Sequence, residues 1–103
     1  SAFVPTGLSM EIPKGCAGLI YARSGLACKR GLAPANKVGV IDSDYRGEFM
    51  VVLYNHGKQD QIISHGERIA QLVITPVLTP DYEEVDSLSE TKRASGGFGS
   101  TGK

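Results

Sequence analysis

The residues of this chain best suited to chemistry lie within residues 39–48, which read GVIDSDYRGE. Two apolar residues, Val40 and Ile41, run directly into Asp42. A carboxylate that follows apolar residues is expected to be partly desolvated, which suits a general base. The same pattern also describes a solvated turn in which Asp44 caps its own backbone. The pattern therefore predicts either a base at Asp42 or a surface turn.

This cluster needs regular structure on both sides to hold it in place. Val40 and Ile41 favour extended backbone, and residues 48–55 are typical of a β-strand. We therefore expect residues 36–50 to form a β-hairpin that carries the carboxylates and Tyr45 on its bend.

Most of the remaining chain predicts short strands separated by Gly and Pro turns. Leu8, Met10 and Ile12 alternate with polar residues, as in a half-buried strand. Further short strands are predicted at 16–22, 61–63 and 68–75. Many short strands joined by such turns indicate an all-β fold, a jelly-roll-like antiparallel β barrel or sandwich.

One short helix is predicted at residues 26–31, with Ser24 near its N-cap and Gly31 at its end. From Ser95 onward the chain consists of Gly, Ser, Thr, one Phe and one Lys. Such a composition does not pack a core, so we expect a flexible C-terminal arm.

Composition limits the classes of partner. The 103 residues predict one domain, and 11 basic residues balance 11 acidic ones. This balance provides no basic field for nucleic acid and no polybasic segment for a membrane, and no apolar run approaches the roughly 20 residues of a membrane span. Cys16 and Cys28 lack zinc-type spacing, so no protein metal site is predicted and both are expected to be reduced thiols of a cytoplasmic protein.

Four blocks of sequence, in order, resemble the motifs of one enzyme family. GVIDSDYRGE resembles the third motif of the trimeric dUTPases, the deoxyuridine triphosphate nucleotidohydrolases. The blocks ARSGLACKRG, GERIAQLV and RASGGFGSTG match further motifs in the family's order. The resemblance extends from Val4 to Lys103 and is specific because four ordered motifs agree.

The resemblance implies hydrolysis of dUTP to dUMP and pyrophosphate. In that reaction Asp42 would be the catalytic general base that orients and deprotonates the water attacking the α-phosphorus. Mg²⁺ would bind the triphosphate and neutralise its charge. The resemblance also implies a homotrimer in which neighbouring subunits share each active site.

Two of the blocks are implied to contact phosphates. Arg23, Ser24 and Gly25 would line the phosphate channel, since a guanidinium, a hydroxyl and free N–H groups suit that ligand. Without the resemblance, these residues also fit a plain helix start with a surface Arg. Gln71, on a predicted strand, would reach a phosphate or the attacking water, whereas Arg68 fits an ion pair with Glu67 or Asp44 equally well.

The third motif is implied to bind the nucleoside. The side chain of Asn36 has a donor and an acceptor that complement the edge of uracil, although Asn before a turn needs no ligand. Tyr45 would pack beneath the deoxyribose and exclude a 2′-hydroxyl, or be an ordinary core tyrosine. The other implied members of the uracil pocket are Val40, Ile41, Asp42 and Met50.

The C-terminal block is implied to close over the substrate. We expect residues 1–93 to form the β domain and residues 94–103 the arm. Phe98 would stack on the base. The implied phosphate contacts of this segment are Arg93, Gly99, Ser100 and Thr101.

One feature of the family is missing from this chain. The family has an earlier motif with an Asp that helps hold magnesium through water, and nothing among residues 1–15 replaces it. We therefore expect the chain to be a fragment of a longer enzyme. Two alternatives stay open: a nucleotide-binding module of the same fold without catalysis, and a related dCTP deaminase.

Overall fold

The computed structural model describes residues 1–99, in which six strands and one helix occur. The elements follow the order β1, β2, α1, β3, β4, β5 and β6. Their bounds are Ala2–Pro5 (β1), Cys16–Tyr21 (β2), Ser24–Arg30 (α1), Leu32–Pro34 (β3), Gly39–Ile41 (β4), Met50–Asn55 (β5) and Gln71–Pro76 (β6). The helix is too short to cross a membrane, and no other helix of the described residues qualifies.

The strands form two three-stranded sheets in which every pair is antiparallel. One sheet has the order β1-β5-β3 and the other β4-β2-β6. β5 is the centre of the first sheet, where Val4 of β1 lies opposite Val51 and Ala33 of β3 lies opposite Tyr54. This arrangement confirms the predicted all-β antiparallel fold with one short helix.

The core lies between the central strands of the two sheets. Val51 and Leu53 of β5 alternate with more exposed neighbours, as a strand with one buried face requires. Ile20 of β2 packs against them from the other sheet. The partly buried residues around this cluster are Val4, Ile41, Ile63, Ile69, Ala70 and Leu72.

The predicted β-hairpin at residues 36–50 is wrong. β4 pairs with β2, where Val40 lies opposite Leu19, whereas β5 pairs with β1 and β3 in the other sheet. Both edges of β5 are therefore occupied, and no edge is left for β4. Residues 42–49 cross from one sheet to the other instead of forming the bend of a hairpin.

The predicted strand through Leu8, Met10 and Ile12 is also wrong. The first strand ends at Pro5, and Gly7 then takes a left-handed conformation, with φ of 74°, that a strand does not accept. Leu8 stays largely exposed and only Ile12 is buried. The segment predicted at 61–63 forms no strand either.

The helix begins earlier than predicted and lacks the predicted cap. Arg23 is its N-cap residue, with no side-chain cap hydrogen bond, and Ser24 is already helical. Gly31 ends the helix with a φ of 66°, and its N–H donates to the carbonyl of Ala27 at 3.1 Å. A side chain at Gly31 would be strained at this φ and would come within 3.0 Å of the Gly57 backbone nitrogen. The C-terminal prediction is therefore confirmed.

Candidate active site

Asp42 is the first residue after β4 and begins a tight turn. Its carbonyl accepts a hydrogen bond from the N–H of Tyr45 at 3.2 Å. The guanidinium of Arg46 donates to the carbonyl of Ser43 at 2.7 Å and so closes the turn from outside. Asp42 is exposed, so the expected desolvation of its carboxylate is wrong for this structure. The reason is that β4 is a short edge strand whose end projects into solvent.

A pocket of about 270 Å³ lies beside this turn, between the ends of the two sheets. It gathers most of the residues that sequence analysis assigned to the nucleoside, namely Val40, Ile41, Asp42, Tyr45 and Met50. Phe3, Glu48, Phe49 and Val52 complete its lining. Sequence reasoning missed these four, because Phe3 reaches the pocket only through the long-range pairing of β1 with β5.

The ring of Tyr45 forms one wall of the pocket. It stacks on Phe49, with ring centroids 6.4 Å apart and planes inclined by 25°. Its hydroxyl donates to the carbonyl of Glu48 at 2.9 Å. Gly47 lies directly against the ring, because a Cβ built there would come within 2.6 Å of the ring's Cζ atom. The ring therefore takes this position only because residue 47 has no side chain.

The turn after β1 holds Glu48 and Phe49, the two lining residues that Tyr45 contacts. The carboxylate of Glu48 accepts a hydrogen bond from the N–H of Gly7 at 2.8 Å. The carbonyl of Phe49 accepts from both the hydroxyl and the N–H of Thr6, at 2.7 and 3.1 Å, and its N–H donates to Leu8. These contacts link the chain crossing at residues 48–49 to β1.

Asn36 lies near the pocket but is not part of its lining. It is exposed in the turn between β3 and β4, where the N–H of Lys37 donates to the carbonyl of Pro34 at 3.1 Å. Its side-chain nitrogen would be 3.4 Å from a Cβ at Gly39, the first residue of β4. Asn36 is thus placed against the strand that carries Val40 toward the pocket.

The residues predicted to contact phosphates lie elsewhere. Arg23 and Gln71 line a second, larger groove of about 700 Å³, together with Arg68 and with apolar side chains of both sheets. Ser24 and Gly25 follow Arg23 as exposed residues of α1. The Gln71 side chain donates to the carbonyl of Ala22 at 2.7 Å, so its amide nitrogen has a partner within the chain. The described phosphate residues and the nucleoside residues therefore do not line one common pocket of the chain.

A network centred on Arg30 borders the same groove. Its guanidinium forms an ion pair with Glu67 and donates to Gln61 Oε1 at 2.9 Å and to the carbonyl of Ile62 at 2.7 Å. The other carboxylate oxygen of Glu67 accepts from the N–H of Ser64 at 2.9 Å. The Ser64 amide first, and Arg30 second, lower the pKa of the Glu67 carboxyl. Glu67 thus forms its ion pair with Arg30. The ion pair between Glu67 and its neighbour Arg68, which sequence analysis left open, does not form in the described residues.

Of the C-terminal residues assigned to the substrate, those that the structure describes, Arg93, Phe98 and Gly99, line neither the pocket nor the groove. The side chain of Arg93 donates to the carbonyl of Gly96, and the ring of Phe98 is fully exposed. Gly99 takes a left-handed conformation, with φ of 87°. Ser100 and Thr101 lie outside the described residues.

The described part of the chain contains no group of side chains that could bind Mg²⁺ by itself. Residues 1–99 contain no group of three His, Cys, Asp or Glu side chains placed to hold a metal ion. Hard divalent cations require several oxygen ligands. The residues described here therefore do not fit a magnesium ion on their own.

Comparison with known proteins gives a consistent assignment. The sequence pattern of the dUTPase family matches residues 1–102. The chain is 53% identical over 100 residues to the deoxyuridine 5′-triphosphate nucleotidohydrolase of Desulfitobacterium hafniense and 52% identical over 99 residues to that of Anaplasma marginale. Both alignments cover 96% of the chain, which spans 66% and 67% of the length of these relatives.

Solved structures agree with the sequence comparison. A point mutant of the 80alpha phage dUTPase matches with a TM-score of 0.83 and 29% identity, covering 97% of this chain and 75% of that one. Another mutant of the Staphylococcus bacteriophage 80alpha dUTPase, solved with dUpNHpp, matches with a TM-score of 0.80 and 27% identity, covering 99% and 80%. A mutant dUTPase of Staphylococcus aureus phage phi11, reported with a structural Mg(II) ion, matches with a TM-score of 0.73 and 27% identity, covering 84% and 72%.

Proposed function

The chain belongs to the dUTPase family, and from that premise we propose that it hydrolyses dUTP to dUMP and pyrophosphate. The observation that carries the proposal is the pocket beside β4. Five residues assigned to the nucleoside from sequence motifs line this one pocket, where an acidic side chain meets an aromatic ring and apolar walls. Ligand sites typically combine a mostly apolar lining with a few placed polar groups.

Asp42 is the proposed general base. Its carboxylate lies at the pocket lining and is open to solvent, so a water molecule can reach it. The water oxygen bonds to the α-phosphorus, the bond from that phosphorus to the bridging oxygen breaks, and pyrophosphate leaves. The proton of the water passes to Asp42. No step is assigned to magnesium, because the described residues provide no site for it.

The nucleoside is proposed to lie with its base against β4 and its sugar against Tyr45. β4 pairs only with β2, so the main-chain groups on its outer edge are available to a base. Asn36 adds a donor and an acceptor beside Gly39. The Tyr45 ring, fixed by Phe49 and Gly47, is proposed to leave no space for a 2′-hydroxyl.

The active site is proposed to be shared between copies of the chain in a homotrimer. Support comes from the separation of the two sets of residues: Arg23 and Gln71 line the groove, whereas Asp42 and Tyr45 line the pocket. In the proposed trimer, the groove of one chain lies beside the pocket of another, so that one triphosphate nucleotide contacts both sets. Light scattering tests this arrangement, which requires a mass three times the 10.9 kDa of the chain.

Hydrolysis assays test the proposed function directly. We expect release of pyrophosphate from dUTP, measured by a coupled phosphate assay, and binding of dUpNHpp by calorimetry. Binding without turnover would favour the nucleotide-binding module, and release of ammonia from dCTP would favour the deaminase. Absence of both binding and turnover would contradict the proposal.

Gly47→Ala is expected to relax sugar selection. The added Cβ displaces the Tyr45 ring from its contact with Phe49, and because this ring is partly exposed it can swing outward without unfolding the protein. We expect the preference for dUTP over UTP, measured as the ratio of kcat/KM values, to fall about tenfold, the scale of one lost steric contact in a pocket. Tyr45→Phe keeps the ring and serves as the control. An unchanged ratio in Gly47→Ala would show that the ring position does not select the sugar.

Residues 94–103 are proposed to act as an arm that closes over bound triphosphate. Deleting them should leave the thermal unfolding midpoint unchanged, since residues 94–99 contribute nothing to the core. Turnover should fall about 10²-fold, because closure excludes water and completes the phosphate contacts. Amide exchange in the arm should slow with dUpNHpp but not with deoxyuridine. Equal exchange in both states would contradict the proposed closure.

A further inference from the structure

We propose that Arg30, which no motif assigns to the reaction, is the positioning residue of the phosphate-binding groove. The inference rests on the proposed function and adds a residue to it. Arg30 itself lines neither the pocket nor the groove, but it contacts Glu67, which lines the groove, so it acts through other residues. It holds together the two chain segments from which Arg23 and Gln71 reach the groove.

Arg30 connects the last turn of α1 to the loop that precedes β6. One guanidinium donates to three acceptors in this loop: the side chains of Gln61 and Glu67 and the main-chain carbonyl of Ile62. The Arg30 and Glu67 side chains are 30% and 25% exposed, so both are partly shielded from water. Glu67 is fixed in turn by the N–H of Ser64. The loop has no helix or strand of its own, and these contacts fix it together with Ile63, which packs against the core.

A second link joins the same two segments at their opposite ends. Tyr21, the last residue of β2, lies opposite Gln71, the first residue of β6. The Gln71 side chain then donates to the carbonyl of Ala22, immediately before Arg23. Residues 22–30 and 67–71 therefore form a closed frame, linked at one end by Gln71 and at the other by Arg30.

The frame contains the residues proposed to meet the phosphates. Arg23 is at one corner, as the N-cap of α1, and Gln71 is directly across the frame. Arg68, next to Glu67, lines the same groove. Releasing Arg30 frees α1 to shift against the loop, which changes the spacing between these side chains. Misplacement of binding groups by about 1 Å is enough to weaken catalysis strongly.

Arginine is required for this role because one side chain must donate hydrogen bonds to three acceptors at once. A planar guanidinium can serve three acceptors in fixed directions, whereas the ammonium of lysine is a compact point charge. Lys29, also in the last turn of α1, is exposed and provides a matched control. Replacing either residue by Met removes one positive charge from the same helix end and keeps helix propensity similar. Only Arg30→Met removes the hydrogen bonds that close the frame at the Arg30 end.

Hydrogen exchange of the ligand-free protein tests the frame itself. In Arg30→Met we expect the hydrogen-bonded amides within residues 23–27 and 61–67, those of Ala27, Ser64 and Glu67, to exchange at least about tenfold faster, because less free energy is needed to open these segments locally. Amides of β2 and β5 should keep their rates, and Lys29→Met should match the parent throughout. Arg30→Lys should give an intermediate change, and it carries the same comparison if Arg30→Met does not fold. Unchanged exchange in residues 23–27 and 61–67 would overturn the inference.

Calorimetric binding tests the consequence for phosphates. Arg30→Met should weaken dUpNHpp about tenfold relative to Lys29→Met, while the affinity for dUMP changes less than about threefold, because a preorganised groove favours the ligand with more phosphates. A purely structural role would weaken both ligands equally and would overturn the positioning role. A parent protein that binds dUMP but not dUpNHpp would overturn it as well. If the parent protein binds neither ligand, both the proposed function and the positioning role are wrong. If the parent binds both ligands but hydrogen exchange is unchanged in Arg30→Met, only the frame is wrong.

Discussion

Replacing Asp42 by Asn is expected to lower the proposed turnover of dUTP by about 10³-fold, the middle of the range that general base catalysis contributes. The amide keeps the shape of the side chain but cannot accept a proton from the attacking water. The affinity for dUpNHpp should stay within a few-fold, because the pocket keeps its Tyr45 wall and its apolar lining. Single-turnover kinetics, which separate chemistry from product release, provide the measurement.

Asp44→Asn is the matched control for this prediction. Asp44 is two residues further along the same turn and does not line the pocket. The turn is closed by the Tyr45 N–H and the Arg46 guanidinium rather than by the Asp44 side chain. We therefore expect Asp44→Asn to retain turnover within a few-fold. Near-normal turnover in Asp42→Asn, or an equal loss in both variants, would exclude Asp42 as the base.

A preference for dUTP over dCTP of about 10³-fold or more in kcat/KM is expected, since a site that reads polar edges leaves its own groups unpaired with the wrong base. Uracil and cytosine differ in the donor and acceptor at positions 3 and 4. The outer edge of β4 carries fixed main-chain donors and acceptors, and Asn36 lies beside its first residue. Cytosine reverses this pattern and leaves polar groups without partners.

Discrimination against TTP provides the comparison for this second prediction. Its 5-methyl group tests the width of the pocket between Val40 and Met50 rather than the pattern of hydrogen bonds. A steric mismatch of one methyl group is expected to cost about 10- to 200-fold. Competition assays with mixed nucleotides measure both ratios under one condition. Comparable hydrolysis of dUTP and dCTP would contradict edge reading, whatever the result with TTP.

The sequence was most informative where a local rule decides the structure. The strand predicted within residues 48–55, the Gly31 that ends α1 and the extended backbone at Val40 and Ile41 each depend on near neighbours, and each prediction agrees with the structure. The motif residues Val40, Asp42 and Tyr45 also line one pocket, and their roles in it stay a prediction.

Pairing between distant strands could not be predicted from local pattern. The supposed hairpin failed because β5 takes β1 and β3 as partners, and β4 takes β2. Leu8 and Met10 alternate correctly for a strand, yet the hydrogen bonds of Thr6 and Glu48 turn the chain before them. The Arg30 network was missed because its acceptors lie more than thirty residues further along the chain.

The crossing of residues 42–49 between the sheets affects how the protein folds. Each sheet depends on remote pairs, such as Ala2 with Leu53 in one and Tyr21 with Gln71 in the other. Chains dominated by such contacts fold slowly, on the order of milliseconds to seconds, because long loops must close before any pair is gained. During synthesis, β2 can pair with β4 early, but the other edge of β2 stays unpaired until β6 has been synthesised. The pocket beside β4 lies on the crossing and needs both sheets in place, so it is expected to be among the last parts of the molecule to form.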